Sequence, residues 1–342
     1  MARGPYNNLP SHQFWRSAVA SMPSFAIDPI VSVPFTIAPS DKVASAGSCF
    51  AQRVARQLQN SGYHYYVPED TPPGLNGDQA FERNYRVFSC RYGNIYTTAQ
   101  LRQTFERAFG RLNPDIDVWT RPDGRFVDPY RPLIEPEGFA SPDELHASRE
   151  EHLRLVRTLG LTEHFRSKSD KVVLPVAPGV SGGTWDPDVY EYHNARVSEI
   201  VADLLGFIDN LRSVNPKSRI IISVSPVSML ATYEPRHVVV SNSYTKSALR
   251  VAADEVCGAR DNVAYFPSYD IVLTPFNAGR IYTDDQRELT ELGVDLAMKT
   301  FFDHFTEGGD QATHHYEDVR FDAAAEAASA ARIVCDEVAI ES

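Results

Sequence analysis

The stretch "RIIISVSP", residues 219–226, decides the fold class. A β-branched run closed by a proline reads as a buried strand, of the kind a parallel sheet covers on both faces. Working outward, "NARVSEIVADLLGFIDNL" (194–211) precedes it with a helix over Val197–Leu211. Ile200, Val201, Leu204, Leu205 and Phe207 supply the apolar stripe. A helix over Lys246–Val256 follows, then "VAYFPSYDIV" (263–272) as another strand and Gly293–His304 as a helix. Upstream, "DKVASA" (41–46) reads as a short strand. A tight glycine turn and a helix over Ala51–Asn60 come next, with Gly62 as its C-terminal stop. Strands alternating with helices predict a parallel sheet with right-handed crossovers.

Other segments fit around this frame. Residues 1–40 are rich in proline and aromatics and read as an arm packed on a single domain spanning 41–342. In "GNIYTTAQLRQTFERAFG" (93–110), Thr97 or Thr98 caps a helix with Leu101, Phe105 and Phe109 on one face. The proline-rich region at about 111–142 reads as an irregular insertion, and Pro142–His152 as a helix. "LVRTLGLTE" (155–163) then gives a strand and a loop at a cramped junction. "DKVVLPVAPG" (170–179) gives a strand, and the Ala-rich 322–334 a last helix.

Composition bounds the function. The chain has 342 residues, 43% apolar and 23% charged, an ordinary globular balance. With 45 acidic against 33 basic residues it carries a net charge of −12, which argues against nucleic-acid binding. No window approaches the ~18 apolar residues of a membrane helix, and the N-terminus lacks a signal-peptide core. A cytoplasmic protein without membrane partners is expected. The four cysteines, Cys49, Cys90, Cys257 and Cys335, are far apart and form no CxxC, so neither a zinc knuckle nor a disulfide framework is expected. "HHY" (314–316) lacks a third ligand at fitting spacing, so no metal site is expected.

The chemistry gathers at strand ends. In "SAGSCFAQRVARQL" (45–58), Cys49 stands where a helix begins. It is either a small buried hydrophobe or a nucleophile whose thiolate the helix dipole stabilises. Gly93-Asn94 suits a backbone N–H offered to an oxyanion. Gly160-Leu161-Thr162-Glu163 brings a hydroxyl and a carboxylate, and "YTDDQRE" (282–288) brings Asp285 and Glu288. Converging at the carboxyl ends of parallel strands, these pieces make an acyl-transfer site. In "DPYRP" (128–132), Arg131 reads as a loop pin. "SYTKSALR" (243–250) reads as a helix start capped by Ser243 or Thr245, with an anion site at Lys246 as the alternative.

The motifs "AGSCFAQ", "YGNIYTTAQLRQ", "VDPYRP", "TLGLTEHF", "PVAPG", "VSPVSMLATYEPRHVVVSNSYTKSALRVAA" and "YFPSYDI" together resemble the GSCFA family, grouped with the SGNH (GDSL-like) hydrolases. The resemblance runs nearly end to end. It implies a three-layer α/β/α sandwich with a flavodoxin-like, mostly parallel sheet and irregular insertions. It places Cys49 at the nucleophile position of Gly47-Ser48-Cys49-Phe50, with the N–H groups of Cys49 and Gly93 in the oxyanion hole. Thr162 takes the place of a donor asparagine.

The last superfamily block, Asp-x-x-His, matches Asp285 to Glu288, so a carboxylate stands where the histidine is expected. His237 is the first substitute for that base, followed by His164 and His193. Ser48, Asn94, Glu163, His164 and Arg53 are the candidate substrate-contacting residues. Arg53 stands where relatives carry histidine. The activity implied is acyl transfer, as acyltransferase or esterase, through a Cys49 thioester. The acceptor is a glycan or small molecule; acyl-CoA is a co-substrate, and no resident cofactor is implied. The alternative is a degenerate module that holds a CoA-like or glycan ligand without turnover.

Overall fold

The computed structural model describes residues 5–23, 26–155, 163–274, 277 and 281–308. Eight α-helices and seven strands occur among them. They are α1 (Cys49–Asn60), α2 (Gly77–Glu82), α3 (Thr98–Ala108), β1 (Trp119–Thr120), β2 (Phe126–Val127), α4 (Pro142–Leu155), β3 (Glu163–Ser167), β4 (Val173–Leu174), β5 (Tyr190–Asn194), α5 (Val197–Val214), β6 (Ile220–Ser223), α6 (Val238–Ala259), β7 (Val263–Phe266), α7 (Ser268–Val272) and α8 (Glu291–Phe305).

The chain is a mixed α/β protein organised around the parallel pair β6–β7. Ile220 and Ile222 of β6 pack into one core, while Ile221 between them packs into another. On β7, Val263 and Tyr265 go to the first core, and Ala264 and Phe266 to the second. This two-residue alternation is why both strands read as unbroken apolar runs. Helices α3, α5 and α6 supply the first core with Leu101, Phe105, Ile200, Phe207 and Ala252. Helices α1, α7 and α8 supply the second with Phe50, Leu58, Ile271, Met298 and Phe302.

Two further sheets are antiparallel: β4-β3-β5 and the small β1–β2 pair. The expected parallel character therefore holds for β6–β7 and not for these. In β3, Glu163, Phe165 and Ser167 share one face and His164 and Arg166 the other, a mixed pattern unlike the unbroken apolar runs of β6 and β7.

Several boundaries move from the sequence reading, among them the strand expected over 170–179, which is only Val173–Leu174. "DKVASA" forms no extended strand; Val43 makes a single parallel bridge to Tyr65. The strand at 263 ends at Phe266, because Pro267 has no N–H for a ladder and the chain turns into α7. Helix α6 starts at Val238, well before Lys246, with the His237 ring nitrogen accepting from the Val239 N–H at 3.3 Å. The β-branched run Val238–Val240 hid that start, since it reads as strand. By contrast, Thr97 caps α3 as expected, accepting from the Gln100 N–H at 2.9 Å.

Within the insertion, fully buried Asp128 accepts from Arg131 Nε at 2.9 Å and Arg149 Nη2 at 3.0 Å. Burial alone would raise this carboxyl; the surrounding Arg131, Arg149 and Arg107 guanidiniums overcome that and hold it far below the carboxylate range. Arg131 is thus a loop pin. Along the arm, the Ile37 N–H donates to the Phe305 carbonyl at 2.7 Å, and Asp28 meets His304. Residues 156–162, the predicted helix at 322–334, Cys335 and residues 314–316 lie outside the described residues.

Candidate active site

The nucleophile loop is built by Gly47. Its φ is +152°, and a Cβ there would stand 2.8 Å from the Ala51 Cβ, so only glycine lets the chain enter α1 this closely. Ser48 takes the N-cap position with extended backbone, and Cys49 is the first residue of α1. The Cys49 side chain therefore sits at the positive end of a three-turn helix.

The segment after Gly93 braces this loop from behind. Gly93 adopts φ +68°, the Ile95 N–H donates to the Gly47 carbonyl at 3.0 Å, and Gln52 Nε2 donates to Asn94 Oδ1 at 2.9 Å. Gln100 Nε2 holds the Asn94 carbonyl at 3.1 Å. Asn94 is fully buried and acts as a brace between α1 and α3; it is Tyr96, two residues on, that reaches the cleft.

A cleft open to solvent lies over Cys49. Its walls include Ser48, Tyr96, Glu163, Ser225, Lys246 and Arg287. Cys49 is only 3% exposed and Lys246 4%, yet both line it. The loop after β6 supplies Ser225, Val227, Ser228 and Met229, so the cleft opens at the carboxyl end of a parallel strand. That loop is pinned to α6: the Met229 N–H donates to Asn242 Oδ1 at 3.0 Å, and Thr232 Oγ1 bonds Ser241 Oγ at 2.9 Å. One turn farther along α6, Thr245 and Lys246 enter the wall. Among the described residues, the buried Thr245 Oγ1 has no hydrogen-bond partner.

Glu163 opens β3 and faces the cleft. Burial raises its carboxyl above the ordinary range, against the opposing hydrogen bond of the Thr232 hydroxyl. Thr232 Oγ1 lies 3.3 and 3.4 Å from the two carboxylate oxygens.

The remaining sequence candidates fall elsewhere. Asp285 closes its own turn, accepting from Thr283 Oγ1 at 2.5 Å and from the N–H groups of Arg287 and Glu288 at 2.9 and 3.0 Å. Burial alone would raise this carboxyl; those bonds keep it below its usual range. Glu288 accepts from the Arg287 guanidinium, and of this loop it is Arg287 that reaches the cleft wall. His237 is an exposed helix cap. The rings of His164 and His193 pack together at 5.2 Å, on the opposite face of the sheet from Glu163. Arg53 bonds Glu291 Oε1 at 2.7 Å, tying α1 to α8. Beside that pair, burial and the Glu291 charge push Asp295 up to about 6. Thr162 lies outside the described residues.

Residues 42–301 match the GSCFA family model. The chain belongs to the GSCFA family. No curated protein and no solved structure matches it significantly. The matched span of this GSCFA chain holds every cleft residue named above, from Ser48 to Arg287.

Sequence reasoning missed Tyr96, Ser225, Met229 and Arg287 as cleft residues, and treated Lys246 as part of a helix start. The available signal was position after a strand: Ser225 and Met229 sit in the loop leaving "RIIIS". No helix among the described residues is long and apolar enough to cross a membrane.

Proposed function

We propose that this GSCFA-family chain is an acyl-transfer enzyme, an acyltransferase or esterase, with the Cys49 thiolate as nucleophile. One observation carries the reading: Cys49 begins α1 and lines a cleft together with Lys246, Arg287 and Glu163. A helix N-terminus and two cations favour the thiolate. The SGNH-like, three-layer arrangement belongs to the same proposal, supported by a parallel strand pair with helical cores on both sides.

In this scheme the Glu163 carboxylate takes the Cys49 thiol proton. The sulfur attacks the acyl carbonyl, the C–S bond forms, and Glu163 returns the proton to the leaving oxygen or sulfur as its bond to carbon breaks. Glu163 then accepts a proton from water or an acceptor hydroxyl as that oxygen attacks the thioester. The proton finally goes back to the departing thiolate, so atoms and charges balance. The Cys49 N–H stands in the oxyanion role; Gly93, the other expected donor, does not line the cleft, and the N–H groups of Ile95 and Tyr96 after it are taken by the Gly47 carbonyl and the Gln100 side chain. Lys246 and Arg287 draw anionic donors such as acyl-CoA toward the cleft. The acceptor is a glycan or small molecule.

A second reading, a module that binds without turnover, is favoured by one fact: no histidine lines the cleft among the described residues. Iodoacetamide at neutral pH separates the two. Burial raises the Cys90 thiol strongly and the Cys257 thiol to about 11, so both alkylate slowly. Fast modification confined to Cys49 supports the enzyme; equally slow labelling of all cysteines supports the module.

A further inference from the structure

One face of the β4-β3-β5 sheet continues outward from the cleft. In register, Glu163 faces Asn194 and Phe165 faces Tyr192, so these four side chains share that face. Trp185 and Tyr233 close over it. The Phe165 ring lies 5.4 Å from Trp185 and 5.3 Å from Tyr233, and Tyr233 lies 5.1 Å from Tyr192. Despite this packing, Tyr233 is 59% and Trp185 37% exposed. The inner edge of the aromatic patch is the cleft wall, because Thr232, next to Tyr233, bonds the Glu163 carboxylate.

We propose that this patch is a sugar-binding platform that seats a neutral glycan acceptor against the Cys49 cleft, through Trp185 and Tyr233. The proposal rests on the acyl-transfer reading of that cleft. The geometry selects the ligand class. The rings meet edge-on or tilted, in contact with one another, and the exposed rings of Trp185 and Tyr233 are the aromatic surfaces left for a ligand. Asp186 and Asp188 follow Trp185 and Glu234 follows Tyr233, but Lys168 donates to the Pro187 carbonyl and Arg236 lies 3.8 Å from Glu234, so the margin carries both signs and offers no basic cradle for a nucleotide's phosphates. A neutral sugar satisfies both conditions. Its C–H face lies on an aromatic ring, and its hydroxyls both donate and accept. Donors and acceptors for them stand at the inner edge: the Glu163 carboxyl, the Thr232 hydroxyl and Asn194, whose buried Oδ1 has no partner among the described residues.

The test is isothermal titration of the full chain with cello-, manno- and chito-oligosaccharides, with ADP as the counter-probe. Binding of at least one oligosaccharide to the parent chain is expected. Trp185→Ala and Tyr233→Ala should each weaken it by roughly tenfold or more, the size of one lost aromatic contact. Trp185→Phe and Tyr233→Phe should retain most of it. Both positions are exposed, so a thermal melt should show the variants folded. The inference is overturned if no oligosaccharide binds, if the alanine variants bind as well as the parent, or if ADP displaces the sugar. Glycan binding without an acyl adduct on Cys49 sinks the acyl-transfer reading alone. An adduct without glycan binding sinks the platform alone.

Discussion

Gly47→Ala puts the geometry of the nucleophile loop under direct strain. The new Cβ would stand 2.8 Å from the Ala51 Cβ, about 1 Å inside ordinary carbon–carbon contact. Neither atom is the far end of a flexible chain, so the backbone must move. Overpacking of this kind costs about 1–3 kcal/mol, and an alanine at φ +152° adds about 1–3 kcal/mol of backbone strain. The variant should therefore lose about 2–6 kcal/mol by urea unfolding and still fold. Because the residue lies two positions before Cys49, the shift moves the sulfur by a similar distance, and acylation by p-nitrophenyl acetate should slow by about a hundredfold. The double variant Gly47→Ala/Ala51→Gly removes the clash, keeps the strain, and adds up to about 1 kcal/mol for a helical glycine. It should recover most of the acylation rate but little of the stability. A single variant that acylates at the parental rate would show that the loop is not held as described. A double variant as slow as the single would show that the Ala51 contact is not the cause.

Three other outcomes are expected. Asp128→Ala strands the Arg131 and Arg149 guanidiniums in a buried site and should cost about 3–5 kcal/mol in urea unfolding, Asp128→Asn less. Burial lowers His152 to about 4, against an ordinary ~6.5, so the unfolded chain takes up a proton that the folded chain refuses. Stability should be complete above that upper value and fall as pH drops toward 4, and His152→Gln should flatten this stretch of the curve. The Glu163 carboxylate must be ionised to take the thiol proton, so acylation should fall as pH drops through its raised pKa. Glu163→Gln should erase that limb and slow turnover by about 10²–10⁴-fold.

The strands that carry the cores were legible because both faces of β6 and β7 are covered, which leaves an uninterrupted apolar signature. Cys49 was legible because the glycine turn and the helix that position it are contiguous in sequence. Ser48 beside it and Glu163 were legible as candidates too; the rest of the cleft was not. Lys246 sits on α6, whose start is hidden by Val238–Val240, three β-branched residues held in helix by the His237 cap and the packing that follows. Arg287 and Glu288 illustrate a different limit. Adjacent residues of opposite charge give no sequence sign of which one faces a ligand; the turn closed by Asp285 decides it. The aromatic platform draws on "EHFRS", "TWDPD", "YEYHN" and "ATYEP", four segments brought together by strand register and loop closure.

The central claim is a reactive Cys49 in a cleft that accepts acyl groups. Incubation of the full chain with p-nitrophenyl acetate or acetyl-CoA, followed by intact-mass measurement and peptide mapping, reads it most directly. One acetyl group on the peptide carrying Cys49, absent in Cys49→Ala and removed by hydroxylamine, is the expected result. An adduct that maps elsewhere, or no adduct with either donor, would contradict it.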